Sequence, residues 1–200
     1  MKTINTSVET ELVCSDDGKN TYCITKRLNG GVEGETGIIV MLFPTRNEKN
    51  LNADDSTINH LVAHMSDFGF SEIKIINLFS KVISARPSSR GLVIDSDNMD
   101  FIEKSVFSDT NLKNQKFIGG WGNSMKSSAA VTESKKKIIE AYLKRLPKRK
   151  IYHNVCPERG IVDGANHPLF LGVRAAKTVK WRLMEYNHKP LFSVTKTAEK

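Results

Sequence analysis

Cysteine is scarce: Cys14, Cys23 and Cys156 are the three in a chain of 200 residues. They lie far apart without CxxC spacing, which excludes a disulfide framework and points to a reducing compartment. Long apolar runs are missing too. The longest, GIIVMLF at 37–43, falls well short of the ~20 residues a membrane-crossing helix needs. The opening MKTINTSVETELV has no apolar secretion-signal core, so a cytoplasmic protein with no membrane partner is expected. There is no P-loop, no GxGxxG, no HExxH and no GxSxG turn, which sets aside the chemistries those motifs carry. His60 and His64 stand one helical turn apart, but no third ligand at a recognised spacing joins them. They read as a polar helix flank, and neither a metal nor a cofactor is expected.

The charge that is present is unevenly placed. Residues 1–110 carry 11 Lys/Arg against 16 Asp/Glu, and residues 111–200 carry 19 against 6. A net of −5 in the first half and +13 in the second gives a directional field that favours a polyanionic partner, DNA above all. Lys148, Arg149, Lys150, Arg174 and Lys177 are the candidates for phosphate contact. The bland alternative is a solvated basic face.

Hydrophobic patterning sets the fold class. Four short apolar runs, GIIVMLF (37–43), IKIINLF (73–79), KFIGGW (116–121) and KIYHNV (150–155), read as strands buried on both faces. TYCITKRL (21–28) alternates as an added N-terminal strand. Residues 56–69 have the period of a helix, with Ser56 as its cap and Ile58, Leu61, Val62 and Met65 on one stripe; Gly69 stops it. Further helices are expected over 95–106 and 133–146. Strands alternating with helices predict a three-layer α/β/α sandwich around a mostly parallel sheet of about four to five strands. One domain over 1–172 is expected, with a basic C-terminal helix and tail over 173–200 packed on it or extending from it.

In such sheets ligands bind beyond the carboxyl ends of the strands. Four polar or aromatic segments should gather there. They are Pro44-Thr45 followed by Asp54-Asp55, then Asn77 to Phe79, then Trp121-Gly122-Asn123, and finally Asn166-His167-Pro168. Each has a structural reading as well. Asp54 and Asp55 could cap the helix, Asn77 could close a strand end, and Trp121 could be core. His167, in a Gly-led loop before proline, is less natural as core.

At these residues the chain resembles an uncharacterised bacterial family, domain of unknown function 1643. The matching segments, in order, are Phe43-Pro44-Thr45, Asp55-Ser56-Thr57, Asn77-Leu78-Phe79, Trp121-Gly122 and His167-Pro168-Leu169-Phe170-Leu171, over roughly residues 20–172. The family pattern has Asn-Pro-Ser where this chain has Phe43-Pro44-Thr45. A looser likeness is to the uracil-DNA glycosylase superfamily. By that analogy Asp54 or Asp55 would orient a water, Asn77 would read a base edge, Phe79 or Trp121 would stack, and His167 would meet charge developing on the base. The analogy implies a DNA-binding protein that recognises a nucleobase, with cleavage of an N-glycosidic bond as its enzymatic form. The alternatives are a degenerate nucleic-acid- or protein-binding module and a small nucleotide-processing enzyme.

Overall fold

The computed structural model describes residue 3 and residues 5–29, 33–44, 55–85, 87–175 and 178–193. Its strands are β1 (Ser7–Cys14), β2 (Thr21–Asn29), β3 (Glu35–Met41), β4 (Phe70–Asn77), β5 (Gln115–Gly119), β6 (Ile151–Val155) and β7 (Arg182–Glu185). The helices are α1 (Ser56–Ala63), α2 (Ser96–Phe101), α3 (Ala129–Arg145) and α4 (Pro168–Arg174). A π-helical turn, Ile102–Val106, continues α2.

All seven strands form one sheet in the order β1-β2-β4-β3-β5-β6-β7. The four central strands, β4, β3, β5 and β6, are mutually parallel. They are the four continuous apolar runs, and their Ile and Val side chains have two covered faces to fill. The sheet as a whole is mixed rather than mostly parallel, because β1, β2 and β7 join it antiparallel. It also has seven strands among the described residues, not four or five. Nor does an α-helix follow residue 174 among the described residues: Arg182–Glu185 is a strand paired with β6, and Lys189–Leu191 is a single 3-10 turn.

Two separate cores cover the two faces. On one, Val40, Ile76 and Phe117 pack against Ile138, Ile139 and Tyr142 of α3 and Ile102 of the π-helical turn. On the other, Ile39, Ile75 and Ile118 pack against Ile58 and Leu61 of α1 and Leu171 of α4. Each such side chain contributes about 1.5–3 kcal/mol when fully buried, so these layers fix the strand ends on which a site depends.

Two local features position that end of the molecule. Asp55, not Ser56, is the N-cap of α1: its Oδ1 accepts the Ile58 N–H at 2.8 Å. Gly172 of α4 lies directly against the His60 ring of α1, so closely that a Cβ there would overlap it. His64, one turn on, is not a polar flank. It is buried, stacks on Trp181 at 4.0 Å, and shares the Asp67 carboxylate with the Trp181 N–H. Among the described residues no three His, Cys, Asp or Glu side chains cluster as a metal site.

Candidate ligand pocket at the carboxyl edge

Strand β3 is followed by α1 on one face of the sheet. Its neighbour β5 is followed by α3 on the other. The chain therefore leaves two adjacent parallel strands in opposite directions, and a crevice opens between them. A pocket of about 690 Å³ occupies that crevice. The exit of β3 supplies Met41, Leu42 and Phe43, and the exit of β5 supplies Gly122, Asn123 and Ser124. Thr57 of α1 and Ile83 complete that side, and Asn166, His167, Leu169, Phe170, Val173 and Arg174 form the α4 wall.

The α4 wall is built by its sequence. Pro168 stands at the first turn of α4, where its missing N–H costs nothing, and it packs over Gly120. His167 is the N-cap, its Nδ1 accepting the Leu169 N–H at 3.3 Å. In the neutral ring that acceptor role places the proton on Nε2. Asn166 is buried and donates through Nδ2 to the Asn154 carbonyl at 3.0 Å, pinning the loop to the end of β6. Gly122 has φ +71°, and a side chain there would press on His167, so the β5 turn and the α4 loop meet at a glycine. Arg174 lies over the Phe170 ring, 5.4 Å from its centroid.

Of the residues singled out in sequence, Gly122, Asn123, Asn166, His167 and Arg174 come together in this pocket. Others go elsewhere. Asn77 is buried at the end of β4, on the α1/α4 face with Ile75, and its side-chain amide has no hydrogen-bond partner among the described residues. Its carbonyl accepts from Asn98 Nδ2 at 2.8 Å. Trp121 is 2% exposed and folds back over Gly119 into the α3 core, so it is no stacking platform. Phe79 stacks on Phe43 at 5.0 Å and faces a neighbouring hollow that shares Phe43 and Ile83 with the main pocket. Phe43, where the family pattern has Asn, is thus a wall between the two. Pro44 and Pro168 are buried supports. Asp55 serves as a helix cap, while Asp54, Thr45 and Lys177 lie outside the described residues.

Lys148, Arg149 and Lys150 are at the other end of the sheet, in the turn that leads into β6. They border a hollow of about 750 Å³ beside the start of β5. From Gln115, which lines that hollow, to Gly122, which lines the pocket, the chain runs the length of β5 and three residues beyond it, roughly 20 Å if extended.

The pocket residues that sequence reasoning missed are mostly apolar: Met41, Leu42, Ile83 and Val173. A signal existed for the last. Leu169, Phe170 and Val173 are all exposed on α4, an apolar stripe inside an otherwise basic segment.

No curated protein and no solved structure matches the chain. A family model does, over residues 22–169, and it spans the four central strands and reaches the pocket wall at Leu169. This supports the first of the two resemblances drawn from the sequence, and gives none to the glycosylase superfamily. The chain belongs to the family described as protein of unknown function, DUF1643.

Proposed function

We propose that the carboxyl-edge pocket binds the base of a small nucleotide-like molecule. The observation that carries this reading is its lining. Among the described residues two carboxamides, Asn123 and Asn166, and the His167 ring stand among apolar walls, with one cation, Arg174, at the edge. The Asn123 carboxamide matches the donor–acceptor pair of a base edge, Asn166, its Nδ2 held by the Asn154 carbonyl, fixes the loop beside it, and a guanidinium matches a phosphate. The volume lies within the range of small-molecule sites.

The test is thermal denaturation and calorimetry of the full chain with a panel of nucleobases, nucleosides and nucleoside monophosphates. A ligand present at about 100 times its Kd stabilises by about 2.7 kcal/mol, worth about 5–10 °C in a chain of this size. The shift should vanish in Asn123→Ala and fall in His167→Ala. A flat panel would remove the proposal.

The glycosidase reading keeps one specific support, the His167 tautomer. An Nε2–H can donate to negative charge developing on a departing base. Its test is release of free base from uracil-containing DNA and from nucleoside monophosphates, followed by chromatography. No release with binding intact leaves recognition alone.

A further inference from the structure

The amino edge of the sheet holds a second hollow, away from the pocket. Its hollow is lined by Lys113, Lys116, Lys148, Arg149 and Lys150, with Tyr152 partly exposed among them. Two of these cations are already neutralised: Lys116 pairs with Glu35, and Lys150 with Glu185 at 2.7 Å. Lys113, Lys148 and Arg149 have no acidic partner among the described residues and are exposed. They come from two turns far apart in sequence, the one entering β5 and the one entering β6. A hydrogen bond from the Arg149 guanidinium to the Lys113 carbonyl clips the two turns together. Three unpaired cations are therefore held on one surface by a tertiary contact, not scattered along a solvated helix.

We propose that this hollow binds a nucleic-acid strand through its phosphates. An exposed cation without a carboxylate is the group that gains from displacing counterions on a polyphosphate. Asn111 and Asn114 add amide donors beside the cations, and Tyr152 adds a ring on which a base could stack. A membrane surface fits less well. The site is concave, and none of the exposed large hydrophobic residues of the described chain lies in it, so the second anchoring signal that peripheral proteins use is missing. Contact is sequence-independent, because the hollow offers charge and few groups that could read a base edge.

The experiment is fluorescence anisotropy with labelled 20-nucleotide single and double strands, from 50 to 300 mM salt, on the full chain. Wild type should bind at 50 mM and weaken steeply with salt. The double variant Lys113→Glu/Lys148→Glu changes two side chains that make no hydrogen bond among the described residues, so folding is retained. It should lose at least tenfold in affinity and reduce the salt slope by about 2. Lys137→Ala, an exposed cation of α3 that lines neither the pocket nor the hollow, should bind as wild type. Wild-type affinity in the double variant, an equal loss in Lys137→Ala, or no binding at 50 mM would each overturn the proposal. So would co-sedimentation with phosphatidylserine vesicles without oligonucleotide binding. Because the pocket is read by small-ligand thermal shifts, either site can fail without the other.

Discussion

The two ends of the parallel strands differ in what they expose. At the carboxyl end the strand exits turn inward, giving a pocket of apolar walls with a few polar groups and one arginine. At the amino end the entering turns carry the cations outward around an open hollow. The same residue type shows the contrast. Lys148 is exposed, whereas Lys135 of α3 is 8% exposed, with Nζ over the Trp121 ring at 5.4 Å. Basic composition in the second half of the chain therefore describes two environments, and its polyanion reading applies only to the one that faces water. A base held in the pocket and phosphates held by Lys148 cannot belong to the same nucleotide, given the roughly 20 Å between them.

The sharpest way to break the comparison is at Gly172. Gly172→Leu drives a side chain into the His60 ring and separates α4 from α1. It should cost about 3 kcal/mol and abolish small-ligand thermal shifts. Oligonucleotide binding by the surviving folded fraction should be unchanged, since the amino edge makes no use of α4. Loss of both together would mean the edges are coupled.

Lys135 comes next. Burial, followed by the nearby Lys126 charge, pushes its ammonium down to about 8. The folded state thus binds the proton less well than the unfolded chain. Stability is reduced below pH 8 and rises as pH climbs from about 8 toward 10.5. Lys135→Met should raise stability by about 1–2 kcal/mol at pH 7 and flatten that rise, as read by urea unfolding across pH. A destabilised variant would mean that the contact with Trp121 outweighs desolvation.

Asp109 anchors the amino edge. It accepts from Lys74 at 2.7 Å, from the Asn111 N–H at 2.8 Å and from Gln115 Nε2 at 2.9 Å. The Lys74 bond, then the Asn111 N–H, hold its carboxyl down at about 2. Its contribution is present above the ordinary carboxylate range and is lost as pH falls from about 4 through 2. Asp109→Asn should cost roughly 1–2 kcal/mol at pH 7 and little at pH 2, with the pocket's ligand response intact. Equal destabilisation at both pH values would locate the effect in packing instead.

The smallest change is at the rim. Arg174→Ala should remove any preference for a nucleoside monophosphate over its nucleoside, about tenfold in Kd by calorimetry, without altering stability by more than about 0.5 kcal/mol. An unchanged preference would assign the phosphate elsewhere.

How much of this was legible in sequence follows from burial. The four central strands carry Ile, Val and Phe on both faces, and their runs stand out. β1 and β7 do not, because each is paired along one edge at the rim of the sheet and has almost no buried side chain: SVETELVC and RLME are exposed along most of their length. The location of the pocket was legible as well, since a parallel sheet sends all its exits to one edge. The identity of its lining was legible only in part: Gly122, Asn123, Asn166, His167 and Arg174 were, and the apolar wall was not. Asn77 and Trp121 sit at strand exits as their spacing says, yet one points beneath α1 and α4 and the other folds over Gly119. Those directions depend on which residues leave room, and a glycine two positions earlier is a faint signal. The cations at 148–150 were legible as charge, but their edge depends on whether a turn enters or leaves its strand.

The rims of the sheet have a bearing on solubility. Among the described residues β1 has no strand partner along one edge of its backbone, the kind of template on which chains add to one another. Its outward side chains include Glu9 and Glu11, both within reach of the Arg27 guanidinium, Glu11 at 3.0 Å. At the far rim, β7 carries Arg182 and Glu185, paired to Glu158 and Lys150. A second copy docking along either strand would have to strip water from these ions, so both open ends of the sheet are guarded against strand-by-strand aggregation.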